Sequence, residues 1–102
     1  MDISERVAIP QETLASFCQR NHIRKLSLFG SVLRDDFRPD SDVDVLVEYE
    51  PEARTTLLDM AAQEIELSQM LGRKVDLRTP NELHDYFRQK VIDTSQPIYE
   101  RR

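Results

Sequence analysis

Residues 23–49 read IRKLSLFGSVLRDDFRPDSDVDVLVEY, and the way this stretch divides sets the order of the whole chain. Ile23 to Phe29 reads as a strand, with Leu26 and Leu28 alternating. Gly30-Ser31 ends it, a short helical turn around Val32–Asp36 follows, and FRPDS forms a polar loop containing Pro39. Residues 42–49 alternate cleanly: Val43, Val45, Val47 and Tyr49 face one way, and Asp42, Asp44, Leu46 and Glu48 the other.

Working outward, residues 1–8 read as a loose arm. Pro10 can occupy the first turn of a helix with Leu14, Phe17 and Cys18 at helical spacing. On the other side, residues 55–71 are the longest helical candidate, closed by Gly72 as a C′ residue. Lys74–Arg78 predicts a short strand with Asp76 opposite Val75 and Leu77. Thr79-Pro80-Asn81-Glu82 is a capping box with proline at its first helical position, opening a helix that carries Leu83, Tyr86, Phe87 and Val91. Gln96-Pro97-Ile98-Tyr99 suits a last edge strand. No repeat or linker divides the chain, so a single domain over 1–102 is expected, of α/β (α+β) class, with a mixed sheet flanked by helices.

Composition narrows the function. The 102 residues carry a net charge of −5, which argues against direct nucleic-acid binding or anionic lipid held by a generic basic face. One cysteine, Cys18, rules out an internal disulfide framework and a cysteine-based zinc cluster; it reads as core. No apolar run approaches the ~20 residues of a membrane helix, and MDISERVAIP has no signal-peptide core. A soluble protein of a reducing, cytoplasmic compartment is expected.

The chemistry concentrates in 30–44. A glycine at a strand end followed by serine lets a phosphate approach free backbone N–H groups and a hydroxyl; the same pair also fits an ordinary turn with Ser31 as N-cap. Asp42 and Asp44 stand ~6.6 Å apart along one strand face, and at ~4 Å two carboxylates repel by about 4 kcal/mol at an effective dielectric of 20. Such a pair implies a compensating cation or a raised pKa, and hard oxygen ligands favour Mg²⁺ or Mn²⁺. A solvent-facing strand edge is the plainer alternative. Asp76, also facing away from its apolar neighbours, would bring a third carboxylate to the same sheet face if its strand lies beside the first. Three carboxylates with nucleotide phosphates can hold two divalent ions ~3.5–4 Å apart. Arg34, one turn on, could reach the same phosphates or simply face solvent.

Gly30-Ser31-x-x-Arg34, then Ser41-Asp42-x-Asp44 and Val47, resembles the signature of the minimal nucleotidyltransferases of the polymerase-β-like superfamily. The resemblance implies nucleotide binding by Gly30, Ser31 and Arg34. It also implies metal binding by Asp42, Asp44 and Asp76, with Asp76 as base or ligand for the attacking hydroxyl. ATP is the implied donor. Members often act as antitoxins beside a HEPN-domain ribonuclease toxin, some by transferring AMP to a tyrosine of that toxin; a non-catalytic antitoxin that occludes its partner is the alternative. Asp35 stands where the family commonly has glycine, and Asp36 and Arg38 fall in the loop that follows.

The long helix offers a separate surface. Leu58, Ala61, Ala62 and Ile65 form a stripe expected to cover the sheet, while Met60, Leu67 and Leu71 cluster nearly opposite and predict contact with an oligomer or partner. His22 and His84 read as surface or cap residues, and Tyr49, Tyr86 and Tyr99 as packing residues.

Overall fold

The structure, a computed structural model, describes residues 7–34, 38 and 40–101. Helix α1 (Gln11–Arg20) leads into strand β1 (Ile23–Phe29), then a 3₁₀ turn (Gly30–Leu33) and strand β2 (Val43–Tyr49). Helix α2 (Leu57–Leu71), strand β3 (Val75–Arg78), a second 3₁₀ turn (Pro80–Glu82), helix α3 (Asp85–Thr94) and strand β4 (Gln96–Glu100) follow. The sheet order is β3-β2-β1-β4. β1 runs antiparallel to both β2 and β4, and β2 pairs with β3 in parallel, so the sheet is mixed.

One face of this sheet is the core. Val43, Val45 and Val47 are fully buried with Leu26, Leu28, Val75 and Leu77, against Leu14, Phe17 and Cys18 of α1 and Leu67 and Leu71 of α2. Burial pushes the Cys18 thiol up to about 12. Val7 and Ile9 also pack here, so the expected loose arm does not extend through Val7; residues 1–6 lie outside the described residues.

The long helix reverses the expected orientation. Leu58 and Ile65 are 84% and 61% exposed, and Leu57 is 85% exposed; Gln63, Leu67 and Leu71 are buried and Met60 packs on the core. The deciding interactions are polar. β3 is an edge strand, and its outward amides would otherwise go unpaired. Ser68 Oγ accepts from the Val75 amide at 2.9 Å and Glu64 Oε2 from the Leu77 amide at 2.7 Å. Gln63 Oε1 accepts from the Tyr49 hydroxyl at 2.5 Å, and burial pushes that phenol up to about 12. Residues 60, 63, 64, 67, 68 and 71 thus form one inward stripe, and the stripe at 58, 61, 62 and 65 is left outside.

The ends of α2 follow the sequence. Thr56 and Asp59 make a reciprocal capping box, and Gly72 closes the helix in the left-handed region at φ +68°. The second capping box, Thr79 to Glu82, opens only the short 3₁₀ turn. Leu83 ends that turn, and α3 starts afresh with His84 as its N-cap, accepting from the Tyr86 amide at 3.1 Å. Tyr86, expected to pack, is 91% exposed.

Candidate active site

At one end of the sheet, three adjacent strands deliver the residues singled out by the sequence. The antiparallel register puts Phe29 opposite Asp44, and the parallel register puts Asp44 opposite Asp76. Asp44 and Asp76 therefore meet across the strands, on the face opposite the valines. Asp42 is exposed and immediately precedes β2. Leu46 on that same face is buried rather than solvent-facing, as is Ser27 beside it in register.

The turn after β1 is shaped around Asp44. Gly30 has φ +75°, and a Cβ there would lie 2.3 Å from Asp44 Oδ2, so both the backbone and the space require glycine. The helical turn expected over Val32–Asp36 is instead a 3₁₀ turn over Gly30–Leu33; Asp35 and Asp36 lie outside the described residues. Ser31 is inside the turn, not its N-cap, a position taken by Phe29. The Ser31 backbone amide donates to the Asp44 carboxylate. Arg34 closes the turn, its amide donating to the Ser31 carbonyl at 2.9 Å.

Electrostatically these groups form one unit. Burial first, then the charges of Asp76 and Asp42, raises the Asp44 carboxyl above its ordinary value; the Ser31 amide and Arg34 oppose that shift. Asp76 is held by Arg78, with Oδ1 at 3.2 Å from Nε and Oδ2 at 3.3 Å from Nη2. Arg78 was not anticipated, although its i+2 position on the same strand face signals the contact. Among the described residues no three His, Cys, Asp or Glu side chains are already gathered as an ion cage. The donor chemistry nevertheless fits a hard divalent cation: three carboxylates, two of them raising the pKa of the third.

A cleft of about 580 Å³ opens beside the turn. Gly30 and Arg34 line it together with Phe87 and Lys90 of α3, and the sequence reading gave α3 no part in the site.

A mixed sheet that sets a glycine–serine turn against cross-strand aspartates is suited to binding phosphates beside cations. Residues 11–98 match the family described as the nucleotidyltransferase domain. A protein of Methanocaldococcus jannaschii provisionally named a protein adenylyltransferase is 32% identical over 79 residues, covering 78% of this chain and 83% of the relative. Protein adenylyltransferase MntA of Thermococcus cleftensis is 39% identical over 59 residues, 58% of each chain. A solved structure provisionally described as a minimal nucleotidyltransferase is 33% identical, with TM-score 0.68 over 97% of this chain and 96% of that one. A toxin–antitoxin structure with AMP-PNP shares the fold, with TM-score 0.70 over 92% of this chain and 76% of that one, at 17% identity. The chain belongs to the nucleotidyltransferase domain family and is a nucleotidyltransferase. Among the described residues, no helix is long and apolar enough to cross a membrane.

Proposed function

We propose that this nucleotidyltransferase moves AMP from ATP to a hydroxyl, that of a tyrosine, on a cognate HEPN-type ribonuclease toxin, and so acts as its antitoxin in the cytoplasm. The observation that carries this reading is the register that sets Asp76 opposite Asp44 beside the Gly30 turn. The names of the M. jannaschii and T. cleftensis relatives and the AMP-PNP complex support the choice of donor and of a protein acceptor.

In this reading the whole chain acts as one domain. Gly30, Ser31 and Arg34 receive the phosphates, and Asp42, Asp44 and Asp76 hold Mg²⁺ or Mn²⁺. Bound there, the cation would neutralise phosphate charge and polarise the reacting phosphoryl group. The acceptor hydroxyl oxygen bonds to the α-phosphorus, the bond to the bridging oxygen breaks, and pyrophosphate leaves. The Asp76 carboxylate, released from Arg78, can take the hydroxyl proton.

Incubation with labelled ATP, Mg²⁺ and the protein encoded beside this one tests the proposal. Label on that partner should be lost in the Asp42→Ala plus Asp44→Ala protein; label that persists overturns it. The exposed Leu57, Leu58 and Ile65 favour a second reading, neutralisation by occlusion. There the double aspartate variant would still neutralise the toxin and Leu58→Asp would not.

A further inference from the structure

The cleft beside the Gly30 turn has a chemical character at odds with the rest of the chain. The protein carries five more acidic than basic side chains, yet among the described residues no carboxylate lines this cleft and two cations do, Arg34 and Lys90. Its remaining described walls are largely apolar, with Phe29, Leu33, Phe87 and Val91. Gly30 is common to the cleft and to the carboxylate site, since its Cβ position abuts Asp44 while its backbone lines the opening. A ligand that fits needs an anionic chain for the cations and a flat apolar body for the aromatic wall.

Phe87 is suited to the second task. It is 44% exposed, and His84 stacks on it with ring centroids 5.8 Å apart and planes 16° from parallel. Its ring is therefore supported from within its own helix and still open to a ligand. Lys90 is three residues on along α3, so both side chains project from the same face of that helix.

We propose that this cleft seats a nucleoside triphosphate, Lys90 binding its phosphate chain together with Arg34 and Phe87 packing against its base. The assignment rests on the nucleotide-dependent reading above and adds to it two residues of α3. It also gives α3 a purpose beyond packing, since none of its residues is buried.

Calorimetric titration of the full chain with Mg²⁺–ATP and, separately, with Mg²⁺–tripolyphosphate tests the assignment without an acceptor protein. Lys90→Ala should weaken both ligands by about tenfold, the scale of one charge-assisted hydrogen bond, and Lys90→Arg should restore them. Phe87→Ala should weaken ATP by a similar factor and leave tripolyphosphate unchanged. Thermal melts establish that each variant is folded, and Phe87→Leu and Lys90→Gln replace any that is not. If ATP binds the wild type and depends on Asp44 but is indifferent to Lys90 and Phe87, this assignment is wrong and the proposed function stands. An effect of Lys90→Ala confined to the KM of the protein acceptor likewise overturns it, giving the cleft to the acceptor. If the wild type binds neither ligand, both readings fall.

Discussion

β2 and α2 are both two-faced in sequence, but only in β2 does one face carry valines and the other carboxylates. Along β2 the alternation separates Val43, Val45 and Val47 from Asp44 and Glu48, and no sheet could bury those carboxylates in exchange for the valines. Along α2 both stripes are apolar, so hydrophobicity cannot choose between them. The choice falls to the polar side chains riding on one stripe, Gln63, Glu64 and Ser68, which find donors only against Tyr49 and the open edge of β3. Charge contrast orients a strand by itself; an apolar helix is oriented by the hydrogen bonds its neighbours still need.

The largest effects should separate the two elements by kind. In β2, Asp44→Asn should lower nucleotidyl transfer by about 10³-fold or more, on the scale of losing one preorganised electrostatic group. The fold should survive and, without metal, become more stable at neutral pH. The sign follows from the raised carboxyl: the folded protein holds that proton more tightly than the unfolded chain. The contribution of Asp44 is thus greatest below the ordinary value of 3.8 and is lost as pH rises through the higher folded value. A thermal midpoint measured across that range should fall with pH in the wild type and much less in the variant. Added Mg²⁺ should raise the wild-type midpoint only.

In α2 the contrast should be purely structural. Leu67→Ala removes a fully buried side chain from the core and should cost roughly 2–5 kcal/mol in denaturant unfolding. Leu58→Ala, on the stripe once expected to cover the sheet, should change stability by no more than about 0.5 kcal/mol. A larger cost at Leu58 than at Leu67 would mean that the helix is turned the other way.

Element order was legible because each boundary carries its own chemistry. β1 falls on Ile23–Phe29 as predicted, and Gly72 ends α2 in the conformation glycine alone adopts easily. The meeting of Asp44 with Asp76 was conditional on strand adjacency, a long-range fact, and the parallel β2–β3 register supplies it. The Thr79 box misled for a local reason. Pro80 and Glu82 stabilise a first turn wherever they occur, but the chain breaks at Leu83 before His84 caps a second start. The α3 wall of the cleft was illegible, since Lys90 comes to Gly30 only through tertiary structure.

Gly30→Ala should have an intermediate effect. Holding alanine in the left-handed region costs about 1–2 kcal/mol. Its methyl would also displace the Asp44 carboxylate, which the Cβ position meets at 2.3 Å. Activity should therefore fall by more than stability explains. At Gly72, where a Cβ meets nothing within 4 Å, alanine should incur only the backbone cost.

The smallest effect should come from the start of α2. Thr56 Oγ1 accepts from the Asp59 amide at 3.1 Å while Asp59 Oδ2 accepts from the Thr56 amide at 3.0 Å. The Thr56 amide first, then the Thr56 hydroxyl, hold the Asp59 carboxyl below its ordinary value of 3.8. A depressed folded pKa gives stability that is present above 3.8 and lost as pH falls through the lower folded value. Thr56→Ala should lower the thermal midpoint by about 4 °C at neutral pH, with the gap between variant and wild type narrowing below pH 3.8. Because this cap fixes where α2 begins but not which stripe turns inward, activity and the contrast between Leu67 and Leu58 should survive it. If Thr56→Ala instead exposed Leu67, the cap would share the orienting role here assigned to Glu64 and Ser68.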